Sequence, residues 1–343
     1  MTAVESTALP RALPSPGQSA PGRTDRVAAV VPATLRPSAR SLVRGVLLTG
    51  LVLAFVVTCS RMGLPTDRVV LLGWVVAGVA VFAVTEGVRR VGRLLADWLP
   101  LAALLLAYDA TRGLADGLGM TVHVAEPAAA DRWLGAGALP TAVLQQHWAA
   151  DWWTAFAALV YSSHFVVTPL VLGVLWVRNR PRWGRYAGLV VGLSAAGLVT
   201  YVLYPAAPPW LAAKEGVIEP VRRLSGIGWE VLGLPRAGAL LTDSQAQVNQ
   251  VAAVPSLHTA FAVLTCLVLY PVAKRAWQRA GLVAYPFAMA VVLVWSGEHY
   301  VVDTLLGAVY AVGVVTAAAR LGPAVGRLKA SLRRPRAVPT VGG

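Results

Sequence analysis

The sequence predicts an all-α fold: a polytopic membrane helix bundle of about eight transmembrane helices, with both termini cytoplasmic. Three observations carry that expectation. Of the 343 residues, 57% are hydrophobic and only 13% are charged, against about 25% charge in a soluble domain. The apolar residues gather in continuous runs, each close to the roughly 20 residues that a helix needs to cross a bilayer. Arg and Lys flank those runs, densely on alternate loops. A soluble enzyme, a secreted disulfide scaffold and a disordered chain are excluded by the same facts. Continuous rather than alternating apolarity argues against a β-barrel.

Taken in order, residues 1–42 are rich in Pro, Ala, Ser and Arg and read as a disordered cytoplasmic tail. The apolar runs at 43–60, 69–88 and 94–111 form an N-terminal group of transmembrane helices. The third run carries Asp97, Pro100 and Asp109 and is the least regular of the set. A polar stretch follows at 112–151, expected outside the cytoplasm and to include a helix lying at the interface. Runs at 152–177, 186–204, 257–273, 281–297 and 300–319 make up a second transmembrane domain, 152–319. Residues 205–255 join two of these helices as a long outer loop, and such loops are usually functional. A basic cytoplasmic tail, 320–343, ends the chain. Cys59 and Cys266 sit in separate apolar runs and read as buried structural thiols, not as a disulfide.

The net charge of +14 would suggest nucleic acid in a soluble protein. Its distribution says otherwise. With the N-terminus inside, 22 of the 30 basic residues fall on cytoplasmic segments, among them Arg89, Arg90 and Arg93, Arg178 to Arg185, and Lys274 to Arg279. Lys/Arg bias sets helix orientation, so the charge is a topology signal and no nucleic-acid partner is expected.

Chemistry-bearing residues converge on the outer face. Pro255-Ser256-Leu257-His258 opens the sixth span. Proline suits a first helical turn, and the free N–H groups there, with the Ser256 hydroxyl, can hold an anion. His299-Tyr300-Val301-Val302-Asp303 opens the eighth. His299 and Asp303 are four apart, so they share a helical face, and the acid can orient and charge the imidazole. Forty residues lie between His258 and His299. That length covers one helix in, a basic turn and one helix back, so both histidines return to the same face. Ionisable groups within spans are functional candidates, and Asp303 is the sharpest of them.

These residues carry a resemblance. PSLH followed by HYVVD resembles the signature of the type-2 phosphatidic acid phosphatase superfamily, more narrowly its inositol phosphorylceramide synthase-like branch. Tyr204-Pro205-Ala206-Ala207-Pro208-Pro209-Trp210 is similar to that branch too, and Tyr161-Ser162-Ser163-His164-Phe165 more loosely so. The resemblance implies a membrane phosphotransferase acting on a lipid-linked phosphate through a phosphohistidine. It implies that His299 is the nucleophile, that Asp303 orients it and that His258 is the general acid and then base. Ser256 and neighbouring backbone N–H groups would hold phosphate oxygens. Leu257, Tyr204, Trp210 and His164 are further candidates for the substrate site. No cofactor and no metal are implied, because two imidazoles supply the proton transfers. The expected partners are a phospholipid or lipid-phosphate substrate and the bilayer itself, at the cell membrane, with the site facing away from the cytoplasm.

The chain departs from the wider pattern in lacking the superfamily's Lys-and-Arg-Pro motif. It also has Val292-Leu293 where a Ser-Arg pair is expected. A cationic phosphate clamp is therefore unassigned, with Lys214, Arg222, Arg223 and Arg236 as candidates by location, and Arg236 is carried forward as a binding residue. His123 and His147 read as interfacial, and Trp148, Trp152, Trp153 and Trp210 as an aromatic belt. The acceptor remains open. Transfer of inositol phosphate to a lipid alcohol is the first reading, and hydrolysis of a lipid phosphate or polyprenyl diphosphate is the alternative. A transporter is more distant, since the charges sit at helix ends rather than at the midplane.

Overall fold

The computed structural model describes residues 39–62, 68–114, 119–246 and 249–332. Among these the chain is helical, with α1 (Ala39–Met62), α2 (Arg68–Glu86), α3 (Val88–Leu114), α4 (Ala125–Leu134) and α5 (Pro140–His147) in the first half. Then come α6 (Asp151–Arg178), α7 (Arg180–Leu203), α8 (Pro209–Lys214), α9 (Gly228–Val231), α10 (Pro235–Ala246), α11 (Leu257–Leu269), α12 (Ala276–Trp295) and α13 (Val301–Leu332). Among the described residues, six helices are long and apolar enough to cross a membrane: α1, α3, α6, α7, α12 and α13. α2 and α11 are apolar but shorter. The chain is thus a multi-pass membrane protein, and each expected span coincides with a helix.

Two expected boundaries change. α1 begins at Ala39, inside the stretch assigned to the first tail, and α13 runs on to Leu332 through most of the second. In each case the helix continues past the apolar run into the flanking basic sequence, at Arg40 in the first and from Arg320 in the second. The rest of the expected tails, 1–38 and 333–343, lies outside the described residues.

Local chemistry explains the turns. Gly87 joins α2 to α3 at φ 104°, a conformation that favours glycine. Asn179 ends α6 and caps α7, its side chain accepting from the Arg182 N–H at 3.1 Å. The irregular third span is also accounted for. Asp97 accepts two hydrogen bonds from Arg180, at 2.6 and 2.7 Å, and one from the Trp176 indole at 2.9 Å. Its charge is therefore met at the end of the bundle where α6 gives way to α7. Pro100, Pro169 and Pro286 lie inside α3, α6 and α12, where neighbouring helices tolerate them.

α7, α11 and α13 form the centre. Trp176, Trp183, Tyr186, Val190, Leu193 and Leu264 pack there, nearly all fully buried. α1 rests mainly on α2 and is otherwise exposed along its apolar length, as a lipid-facing helix is. The 112–151 segment supplies not one short helix but two, α4 and α5. α4 packs on α13 and α5 on α12. Ala206 is held between two other segments by isolated parallel bridges, to His123 on one side and Ala252 on the other. The residues just before α8 and just before α11 are thereby fastened to each other. Cys59 and Cys266 are free and half-buried.

Candidate active site

α11 and α13 start at the same end of the bundle, and α6 flanks them. The His258 and His299 ring centres are 5.6 Å apart. His164 on α6 lies against His258 with ring centres 4.1 Å apart, and the Tyr161 ring stands 5.1 Å from His258. Three histidines expected from separate segments are thus one cluster. His299 is two residues ahead of Val301, not within the helix as its spacing suggested. It still reaches the acid: its Nδ1 is 3.5 Å from Asp303 Oδ2, with His299 nearly buried and Asp303 fully so. That leaves the Nε2 edge for chemistry.

The two helix starts differ in what their amides can bind. At α13 the Tyr300 N–H donates to Asp303 Oδ2 at 2.8 Å, and the Val302 N–H to Asp131 Oδ1 at 3.0 Å. Carboxylates already occupy that end. At α11 the Ser256 side chain accepts from the Thr259 N–H at 3.4 Å, a long cap, and the remaining first-turn amides have no intrahelical carbonyl to bond. An anion beside the histidines is therefore best received at α11.

The other expected binding residues divide. Trp210 and Tyr204 are close by. Trp210 lies under the Arg223 guanidinium at 4.6 Å, and Tyr204 stacks on His123 at 3.8 Å. The Leu257 side chain does not face a substrate. It is buried in the core against Gly197, where a methyl group would sit 2.9 Å from it, so only its backbone can serve. Arg236 is not brought to the cluster. It is exposed and reaches the Arg61 carbonyl at 3.4 Å. The belt reading fits Trp152, which is exposed. It fails for Trp153, whose ring packs edge-on against the buried Trp295 at 5.9 Å, and for Trp210.

Sequence reasoning passed over Asp131 and Glu298. Asp131 is fully buried on α4, and its Oδ2 has no hydrogen-bond partner. Burial, aided by nearby Asp303, pushes its pKa up to about 6. Glu298, beside His299 in the chain, accepts from Arg223 Nε at 2.8 Å, Arg223 Nη2 at 3.2 Å and Ser225 Oγ at 2.6 Å. An acid next to a candidate catalytic histidine was the one visible signal; nothing in the sequence marked Asp131. Among the described residues, no three His, Cys, Asp or Glu side chains group as ligands for a metal.

The profile of the PAP2 superfamily matches residues 127–317, more than half of the chain. This chain belongs to the PAP2 superfamily. The match takes in α4 and α5, so it covers the segment bearing Asp131 as well as both histidine motifs. The phosphoinositol dihydroceramide synthase of Bacteroides thetaiotaomicron is 33% identical over 175 residues, 47% of this chain and 53% of that protein. The chain therefore spans about half the length of that curated relative. No solved structure matches significantly. PAP2 membership and a synthase-named relative mark this protein as an enzyme of the class that handles lipid phosphates in membranes.

Proposed function

We propose that this PAP2 protein transfers a phosphoryl headgroup from a lipid donor to an alcohol, by way of a phosphohistidine at His299. The observation that carries the reading is the pairing of His258 and His299 at 5.6 Å, with Asp303 on the Nδ1 side of His299. In the first half-reaction His299 Nε2 attacks phosphorus and the P–O bond to the lipid fragment breaks. His258 gives that oxygen its proton, so a neutral lipid alcohol leaves. Asp303 stabilises the positive imidazole that forms. In the second half-reaction His258 takes the proton of the acceptor hydroxyl, the new P–O bond forms and the P–N bond breaks. No step uses a metal, so activity persists in excess chelator. Hydrogen-bond donors at the start of α11 face the charge that grows on phosphate, the kind of contribution that is usually largest.

Transfer is favoured over hydrolysis by the named activity of the 33% identical relative and by the APPW and PSLH motifs. A transferase must bind its acceptor and exclude water. The covering formed by α4, α5 and α8–α10 suits that need. The same reading places the site on the outer face. The deciding experiment identifies the products formed from a headgroup-labelled phospholipid donor, with and without inositol and lipid alcohols. A labelled lipid that appears only with acceptor is expected. Stoichiometric inorganic phosphate, unchanged by any alcohol, would leave a phosphatase.

A further inference from the structure

The clamp that the sequence leaves unassigned has a candidate in the fold. Four basic residues were eligible by location, and the structure separates them. Arg236 is at Arg61, Lys214 is exposed at the end of α8, and Arg222 is tied through its backbone to Gln145, which accepts from the Arg222 N–H at 3.0 Å and donates to its carbonyl at 2.8 Å. Arg223 is the one whose guanidinium is tied to the turn that carries His299, through Glu298. The Leu224 N–H donates to the Ser296 carbonyl at 2.9 Å, and the Trp210 N–H to the Gly297 carbonyl at 3.1 Å. Gly297, at φ 76°, lies so close to the Arg222 carbonyl that a Cβ would meet it at 2.7 Å. The guanidinium is thus built in. Glu298 grips it through Nε and Nη2, Ser225 steadies Glu298, and the Trp210 ring supports its face.

Two features of this arrangement point to a missing acceptor. Arg223 Nη1 makes no hydrogen bond among the described residues, although the fork is otherwise fixed. The Trp210 indole N–H, on the ring that lies under the same guanidinium, is buried with no acceptor. A buried donor is rarely left so without cause, and Arg223, a quarter exposed, keeps Nη1 free for a further acceptor. The position is right for the substrate, because Glu298, which grips Arg223, directly precedes His299, and Leu224 is bonded to the same turn.

We infer that Arg223 and Trp210 form the phosphate clamp of this site: Arg223 Nη1 and the Trp210 indole N–H each donate to a non-bridging oxygen of the lipid phosphate held between His258 and His299. This rests on the phosphotransferase reading of the same site and adds to it the residues that bind the anion. Arg supplies a rigid, permanently charged fork that Lys cannot reproduce, and charge-assisted bonds to phosphate are the stronger kind. Glu298 orients the fork and spends two of its five donors, leaving the outer edge for substrate.

The test is equilibrium binding of orthovanadate to the purified full chain in nanodiscs, which needs no turnover. Arg223→Gln is expected to weaken binding by on the order of 10- to 100-fold, and Arg223→Lys to recover only part of it. Trp210→Phe keeps a ring under the guanidinium but removes the donor, and should lose several-fold. Glu298→Gln keeps the cation and relieves its counter-charge, so it should bind vanadate at least as tightly as the parent. A purely structural ion pair predicts the opposite pattern: equal loss of thermal stability in Arg223→Gln and Glu298→Gln, and unchanged vanadate affinity in both. Should Arg223→Gln not fold, the Arg223→Lys and Trp210→Phe proteins decide, and parental affinity in both overturns the clamp. A parent protein that binds no vanadate would remove the phosphotransferase reading and the clamp with it. A parent that binds, beside an Arg223→Gln that binds equally, removes the clamp alone.

Discussion

The Ser256 N–H donates to the Asp303 carbonyl across 3.0 Å, so the backbones of the two histidine-bearing segments are joined directly. One turn farther along α13, Gly307 packs directly on the Ser256 backbone. A Cβ there would lie 2.3 Å from the Ser256 carbonyl and 3.3 Å from the Ala260 nitrogen. Backbone touches backbone, and the distance between His258 and His299 is set by that contact and not by flexible side chains.

Gly307→Ala should therefore push α11 and α13 apart. Forcing a methyl group into such a contact costs about 1–3 kcal/mol. A displacement of about 1 Å between reacting groups can cost about 100-fold in rate. Thermal unfolding in nanodiscs and turnover of a labelled phospholipid check both expectations. Parental Tm and turnover within twofold would show that the helix spacing is set elsewhere.

Asp303→Asn keeps the shape of the side chain and an oxygen for the Tyr300 N–H, but removes the charge 3.5 Å from His299 Nδ1. An imidazole whose orienting acid is made neutral loses about 10⁴-fold in the serine-protease case. A fall of about 10³- to 10⁴-fold in kcat, with KM nearly unchanged, is expected here. A loss confined to KM would give Asp303 a packing role only.

Asp131 gives the fold an unusual pH dependence. Its folded pKa is about 6, raised chiefly by burial, against about 3.9 for an unfolded aspartate. Between those values the folded state holds the proton more tightly, so stability is highest below about pH 4 and declines as pH rises to about 6. The loss is on the order of 2–3 kcal/mol. Tm should climb as pH falls from 7 to 5, in contrast to a salt-bridged carboxylate. Asp131→Asn should flatten that segment of the Tm profile, and an unaltered slope in this variant would assign the effect to other groups.

The membrane architecture was legible because lipid leaves a helix few options. Apolar length and flanking charge located every long helix, and the return of His258 and His299 to one end followed from a helix, a turn and a helix. The site's second layer was not legible for an equally physical reason. Asp131 reaches Val302 across 171 positions, and Gln145 reaches the Trp295 carbonyl across 150. No periodicity marks such contacts. Arg223 and Arg236 looked alike in sequence, two cations on one outer loop. Only the turn at Gly297 and the backbone bonds around it separate them. Leu257 shows the reverse error. Its place inside a motif suggested a binding side chain, whereas the helix start needs its amide and the core needs its side chain.

Orientation in the membrane is the remaining expectation that a single experiment can decide. Basic residues crowd the loop between α6 and α7, where Arg178, Arg180, Arg182 and Arg185 fall within eight positions, and the turn before α12, with Lys274, Arg275 and Arg279. Both lie at the end of the bundle away from the histidines, since α6, α11 and α12 each run between the two. Carrying such clusters across the bilayer during insertion is costly, so they are expected to stay in the cytoplasm. The segments around the histidines hold Arg132, Glu219, Arg223 and Glu298, and these cations are met by acids: Arg132 by Glu219, and Arg223 by Glu298 at 2.8 Å. Paired in this way, these two add little to the unpaired positive charge that would hold the histidine end inside. The prediction follows that a membrane-impermeant thiol reagent, applied to intact cells, labels a cysteine placed within 211–254 and misses one placed within 179–184. Cys59 and Cys266 are first replaced by Ala to clear the background. Permeabilised cells should label both positions, which shows that each cysteine can react. Labelling of the 179–184 position alone in intact cells would turn the bundle over, put the histidines in the cytoplasm and require the acceptor to be sought among cytoplasmic alcohols.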